Sequence, residues 1–257
     1  MTETTSSIQV ALYVTCLVDV MRPSVGFAAI KLLQNAGCDV IVPKQQTCCG
    51  QPGYNSGDEV AAKALAQQVI ETFESYDYVV APSGSCAGMI KDHYPKLFSK
   101  DAEWHSRALA LAKNTHELTS FLVDELGVQT LDAHFEGSVC YHDSCAGLRE
   151  LNVKAQPRQL LSSVKGLSLQ EMKGEEECCG FGGLFCVKYS DISNTMVSRK
   201  LDNIERSGAD TLLAGDLGCL LNMAGKMTRE GSTVKARHVA EVLAGMTDLP
   251  AIGEGEG

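Results

Sequence analysis

A tripeptide occurs twice in this 257-residue chain, as Cys48-Cys49-Gly50 and Cys178-Cys179-Gly180, and each copy is bracketed by lone cysteines at nearly matching distances. Cys16 lies upstream of the first pair and Cys86 downstream. Cys145 and Cys219 hold the same places around the second pair. The two sets superimpose at an offset of about 130 residues, the mark of an internal duplication. Whatever the chain folds into must build one cysteine arrangement twice.

The patterning between the cysteines predicts the framework. Ile8 to Thr15 is β-rich and ends at Cys16. Val25 to Ala36 has helical apolar spacing, with Gly37 placed to end the helix in a left-handed conformation. Asp39 to Val42 reads as a short strand before the first cysteine pair. Ser56 or Asp58 is placed to cap a helix from Glu59 to Glu74, and Tyr78 to Ala81 reads as a third strand leading to Cys86. Trp104 to Leu126 reads as one helical segment. The second half repeats the order. Ser138 to Tyr141 leads to Cys145, a helix follows that breaks before Pro157, and Leu167 to Met172 leads to the second pair. A helix capped by Asp191 or Ser193 runs to Arg206, Asp210 to Ala214 leads to Cys219, and a short helix spans His238 to Leu243. Strands alternating with helices predict an α/β fold of right-handed βαβ units. We expect two pseudo-symmetric lobes, residues 1–130 and 131–257, with a seam between Gly127 and Gly137. Each would be a small parallel sheet of three strands flanked by helices. Ligands in such sheets gather beyond the carboxyl ends of the strands, and all eight repeated cysteines fall there.

Composition narrows the function. Net charge is −10 and the isoelectric point about 5.1, which argues against nucleic acid or an anionic membrane as partner. No stretch reaches the ~18 uninterrupted apolar residues of a spanning helix. Met1 to Ser7 is polar with no basic cluster, unlike an export signal, and Ile252 to Gly257 reads as a frayed, solvated tail. A cytoplasmic location follows as the expectation, and there stable disulfides are rare. The odd count of eleven cysteines also argues against full pairing.

Thiolates are soft ligands, suited to zinc, copper(I) or iron–sulfur clusters. Structural zinc favours Cys-x(2–4)-Cys knuckles, and this chain has no CxxC. Side chains on adjacent residues diverge, which suits separate corners of a multi-iron cluster better than one small ion. The following glycine permits the tight loop this requires. A cluster is the favoured reading, with zinc and metal-free redox thiols as alternatives.

Longer stretches carry a resemblance: Thr47 to Pro52 (TCCGQP), Pro82 to Ile90 (PSGSCAGMI), Tyr141 to Cys145 (YHDSC), Cys178 to Gly183 (CCGFGG), Lys188-Tyr189, and Asp216 to Cys219 (DLGC). Together they resemble the cysteine-rich (CCG) domain family, which includes one of the subunits of heterodisulfide reductase and the iron–sulfur subunit of glycolate oxidase. Over nearly the whole chain the likeness is to the lactate-utilisation protein A branch. That resemblance implies an iron–sulfur subunit of a non-flavin L-lactate dehydrogenase complex. It would work with a ferredoxin-like iron–sulfur protein and a third small subunit. The heterodisulfide reductase pattern ends each set in Cys-x-x-Cys; here Ser83 and Asp216 replace the first of those two cysteines. Four thiolates per set point to ordinary 4Fe–4S clusters. They are Cys16, Cys48, Cys49 and Cys86, then Cys145, Cys178, Cys179 and Cys219, with Ser83 and Asp216 as candidate extra oxygen ligands. The wider family also suggests heterodisulfide or quinone reduction as an alternative activity, and a zinc-stabilised scaffold remains the non-redox alternative.

His142 and Asp143 abut Cys145 and are the candidate catalytic pair, for taking the lactate hydroxyl proton; a structural role is the simpler reading. Cys38, Cys140 and Cys186 have no counterpart in the other half and read as buried free thiols. Arg237 and His238 are weak candidates for a carboxylate site against a solvated helix start. Gly180-Phe181-Gly182-Gly183 departs from the dinucleotide pattern at Phe185. Lys44, Arg149 and Lys188 lie near the cysteine loops and could offset cluster charge. Glu175 to Glu177 reads as a solvated loop.

Overall fold

The structure, a computed structural model, describes residues 8–255. The Met1 to Ser7 segment and the last two residues of the tail lie outside the described residues. Two four-stranded parallel sheets form the frame. The first has β1 (Ile8–Leu12), β2 (Cys38–Ile41), β3 (Tyr78–Ala81) and β4 (Thr115–Glu117) in the order β2-β1-β3-β4. The second has β5 (His134–His142), β6 (Lys165–Leu169), β7 (Thr211–Ala214) and β8 (Lys235–His238) in the order β6-β5-β7-β8. The α/β class, the two lobes and the parallel pairing agree with the sequence reading. Central strands such as β7 are buried throughout because helices cover both faces.

Local chemistry sets the crossovers. The helix Pro23–Asn35 has proline in its first turn, buries Val25, Ala28, Ala29, Leu32 and Leu33, and stops before Gly37 at φ +88°. The helix Glu59–Phe73 is capped by Asp58, whose carboxylate accepts from Ala61 N at 3.0 Å.

Four sequence expectations need correction. Each sheet has a fourth strand that the apolar pattern did not announce. β4 cuts the expected Trp104 to Leu126 helix into Ala102–Asn114 and the helical turns Leu118–Ser120 and Phe121–Glu125. β8 takes His238 out of the last helix, which is Val239–Leu243. The helix expected from Asp191 or Ser193 begins at Ser190 and is capped by neither side chain. Finally, Ile252 is not frayed: it is buried, and its N–H donates to Ala236 O at 2.8 Å.

The main apolar core crosses the molecule. It joins Val10, Leu12, Leu32 and Leu33 of the first half to Val139, Leu212, Val239 and Leu243 of the second. Each such side chain contributes roughly 1.5–3 kcal/mol by leaving water. A smaller cluster around Tyr13, Phe73, Tyr94 and Leu111 belongs to the first half. Between the halves, Glu241 is wholly buried and accepts from Arg22 Nε at 2.8 Å and Ser24 Oγ at 2.6 Å. The helices Gly84–Gly88 and Cys145–Leu151 cross so closely that a Cβ on Gly84 would stand 2.8 Å from Gly147 Cα. That crossing puts the third cysteine loop of one half beside the first cysteine loop of the other.

Candidate metal centres

All three loops of the first set leave the carboxyl edge of one sheet. Beyond β1 the chain reaches Cys16, the first residue of the helix Cys16–Met21, whose cap Thr15 accepts from Val18 N. Cys48 and Cys49 follow β2, and Gly50 turns the loop at φ +82°. Cys86 lies in the helix Gly84–Gly88 after β3, where its N–H donates to Ser83 Oγ at 3.3 Å. The sulfurs of Cys49 and Cys86 are 3.6 Å apart. That is too far for a disulfide, whose S–S bond is about 2.05 Å. Cys48 lies within hydrogen-bonding reach of both Cys16 and Cys49. The four thiols therefore form one continuous group.

The thiols are electrostatically coupled. Hydrogen bonds from Cys16 and Cys49 lower the pKa of Cys48, and the same contacts raise theirs. Two tyrosines hold the pair's loop: Tyr13 donates to Thr47 O at 2.6 Å and Tyr94 to Cys49 O at 2.9 Å. Burial raises both phenols, so they stay neutral donors. Beside the thiols lies a cavity of about 140 Å³, roofed from the other half by Phe181, Leu184 and Leu217. Among the described residues no lysine, arginine or histidine lines it.

The second set repeats the plan. Cys145 opens the helix Cys145–Leu151, capped by Ser144 accepting from Gly147 N at 3.3 Å. Cys178 and Cys179 precede Gly180 at φ +81°, whose N–H donates to Cys178 Sγ at 3.4 Å. Cys219 lies in the first turn of the helix Leu217–Glu230. Cys178 is within hydrogen-bonding reach of Cys145 and Cys179, and Cys179 of Cys219. Contact with Cys145 and Cys179 lowers the pKa of Cys178, as at Cys48. Asn222 donates to Cys179 O at 2.8 Å.

His142 stands three residues before Cys145, the place Tyr13 holds before Cys16. It is buried, and its pKa is lowered to about 3, first by burial and then by Lys200. Asp143 has both oxygens engaged by Arg158, at 2.8 and 2.9 Å. That bidentate pair fixes the carboxylate.

Ser83 and Asp216 meet each other between the halves. Asp216 Oδ2 accepts from Ser85 N at 2.8 Å and lies 3.5 Å from Ser83 Oγ. Asp216 thus caps a helix of the opposite half. Cys38 and Cys140 lie in β2 and β5, both raised by burial, Cys140 to about 11. Cys186 donates to Gly183 O. His238 is buried and accepts from Ala240 N, while Arg237 donates to Leu249 O, so the solvated helix start expected there is wrong. Phe181 packs on Gly218, where a Cβ would have no room. Lys44 flanks Cys16 and Cys48, and Lys188 flanks Cys178. Arg149 sits in the last turn of Cys145–Leu151.

Sequence reasoning missed Lys200. Its ammonium is buried and donates to the carbonyls of Gly174 and Glu175, in the loop leading to Cys178. A signal existed: Lys200 lies on the buried stripe Ser193, Val197, Leu201, Ile204 of the helix Ser190–Ser207, where an unpaired lysine would be costly.

All eleven cysteines are free thiols. Two quartets of soft donors, packed at loops with left-handed glycines, fit a thiophilic metal group. Among the described residues no helix is long and apolar enough to cross a membrane.

Comparison with known proteins agrees with this plan. The cysteine-rich domain family (CCG) matches residues 10–91 and 139–224, one match per half. Lactate utilization protein A of Geobacillus sp. (strain WCH70) is 48% identical over 235 residues, 91% of this chain and 98% of that protein. The protein of the same name from Bacillus subtilis (strain 168) is 46% identical, with 91% of this chain and 98% of that protein covered. Among solved structures, a hypothetical protein from Helicobacter pylori superimposes with a TM-score of 0.64 at 11% identity. The match covers 95% of this chain and 50% of that one, and carries the fold alone.

Proposed function

The chain belongs to the cysteine-rich (CCG) domain family and, within it, to the lactate utilization A proteins, and from that premise we propose that it is the iron–sulfur electron-transfer subunit of a complex oxidising L-lactate to pyruvate. The observation that carries this reading is the convergence of two thiol quartets at the carboxyl ends of the parallel strands. Cys16, Cys48, Cys49 and Cys86 would hold one 4Fe–4S group. Cys145, Cys178, Cys179 and Cys219 would hold the other. Such groups supply one-electron redox capacity each, so two of them match the two electrons released when a 2-hydroxy acid becomes a 2-oxo acid.

This chain's residues supply the setting. Tyr13, Tyr94 and Asn222 fix the loop carbonyls beside the adjacent pairs, so the sulfurs are held before any metal arrives. Ser83 and Asp216 serve as helix caps between the halves and are not needed as ligands. Of the clefts beside the first quartet, the one of about 140 Å³ has, among the described residues, no cation to receive a lactate carboxylate, and the other offers Lys44 beside Cys16 and Cys48. We assign to this chain the passage of electrons between a lactate-oxidising partner and a ferredoxin-like iron–sulfur protein. A third small subunit completes the assembly. Free thiols throughout suit the reducing cytoplasm.

The test is iron and acid-labile sulfide content with low-temperature EPR on protein purified without oxygen, followed by lactate titration with and without the partner subunits. Iron and sulfide in equal amounts, reduced by lactate only when partners are present, is the expected result. Zinc without iron or sulfide would leave a scaffold. Reduction by a thiol or quinol, with no response to lactate, would favour the heterodisulfide- or quinone-reductase alternative.

A further inference from the structure

Resting on the reading that each quartet holds iron, we propose that the two centres differ in their ligands: the second takes His142 Nε2 as a nitrogen ligand beside its cysteines, whereas the first is all sulfur.

The case begins with the tautomer. His142 Nδ1 lies 3.3 Å from the carbonyl oxygen of Glu175, which can only accept, so Nδ1 carries the proton. Nε2 is then left with a lone pair and no hydrogen to give. It is buried and has no partner among the described residues. A buried acceptor without a partner costs about 1–3 kcal/mol, so its place calls for an explanation. The surroundings give one: a ring nitrogen of His142, Cys179 Sγ and Cys219 Sγ all lie within 4.8 Å of one another. A neutral imidazole in this state cannot donate to a cluster sulfur, but it can bind iron. The bond would form from the Nε2 lone pair with no proton released.

The carbonyl of Glu175 also has a fixed position, because Lys200 donates to it and Asp143 N donates to it at 3.2 Å. A backbone carbonyl on the far ring nitrogen is the usual support for a metal-bound histidine. Among the described residues no histidine faces the first quartet in this way. The equivalent position is Tyr13, whose hydroxyl donates to Thr47 O. The second set therefore offers five donor atoms for the four irons of a 4Fe–4S group and the first offers four, so His142 would take one iron in place of one of the second set's four thiolates.

The experiment uses the full chain, loaded and reduced without oxygen, and reads nitrogen hyperfine coupling by pulsed EPR. Wild type is compared with protein made on ¹⁵N-histidine and with His142→Ala and His142→Cys. The expected result is a coupling from directly bound imidazole that changes with the isotope and is lost in both variants. In His142→Cys the centre is retained, and its midpoint potential shifts downward because a thiolate replaces a neutral nitrogen. His142→Cys also guards against His142→Ala failing to fold. Iron-loaded wild type without this coupling, or coupling that survives in His142→Cys, overturns the proposal and leaves the electron-carrier reading intact. Wild type without iron overturns both.

Discussion

At the scale of single residues, the positions that hold the thiols matter as much as the thiols. Lys200→Met keeps the length and apolar stem of a side chain on a buried stripe, but removes the ammonium that donates to the Gly174 and Glu175 carbonyls. Hydrogen bonds to charged groups are worth roughly 1.5–3 kcal/mol, offset by relief from burying the ammonium. We expect a modest fall in melting temperature and preferential loss of metal from the second set, read as iron per chain falling towards half. Equal loss from both sets would mean the effect is general. Glu117 makes a separate prediction. Burial raises its carboxyl from 4.5 to about 7 although Thr119 and Ser120 donate to it. Between those values the folded protein keeps a proton that the unfolded chain has released, so stability falls as pH rises through this window and is level above it. His238, lowered to about 4 by burial, works the other way, adding stability as pH rises towards 6.5. The difference between wild type and Glu117→Gln in urea isolates the first term. It should decline by about 3 kcal/mol from pH 4.5 to 7, and a difference constant with pH would refute the assignment. The eight cysteines are legible in the sequence because they come as a repeated set. Tyr94 and Asn222 are not, because a single side chain aimed at one carbonyl leaves no spacing behind, and Lys200 shows only as a lysine on an otherwise buried helical stripe.

At the scale of elements, the same contrast decides which strands can be read. β1, β3 and β7 are mostly apolar runs leading to a cysteine loop, and sequence locates all three, whereas of the longer, partly polar β5 it locates only Ser138 to Tyr141. β4 is Thr-His-Glu and β8 is Lys-Ala-Arg-His. Both are short outer strands whose residues serve as helix caps as well as ladder partners, so they look like the starts of helices. Their last residues correspond: Glu117 pairs with Ala81, His238 pairs with Ala214, and each caps the helical turn that follows. The turns after the cysteine pairs correspond too, yet they differ in tolerance. Gly50 and Gly180 both have positive φ, where an L side chain costs about 1–2 kcal/mol. A Cβ on Gly50 would lie 3.3 Å from Ala62 O, but on Gly180 only 2.8 Å from Ser193 O. Gly180→Ala should therefore destabilise more than Gly50→Ala by at least a further 1 kcal/mol or so, measured by denaturant unfolding of the metal-free protein. Equal losses would mean that the Ser193 backbone yields freely.

At the scale of the whole molecule, duplication and cooperativity pull in different directions. The repeated sheets invite the idea of two units with independent stability, divided at a seam near Gly127 to Gly137. The packing argues for mutual dependence. The helix Val239–Leu243, last in the chain, packs on Pro23–Asn35 near its start, and both belong to one apolar core. Glu241, wholly buried at that contact, is bonded to Arg22 and Ser24 of the other half and to its own His238 N–H. Removing one member of a buried pair leaves the other charge without compensation, typically at roughly 3–5 kcal/mol. Arg22 keeps some access to water, so Glu241→Ala should fall at the lower end of that range. If the core is shared, the loss will appear as a shift of one unfolding transition, with both sheets and both thiol quartets failing together. Fluorescence of Trp104, in the first half, and thiol labelling at Cys140, buried in β5 of the second, would then report the same midpoint in wild type and variant. Separate midpoints, with only one moved by Glu241→Ala, would mean that each half carries its own stability and that the shared core is only an interface.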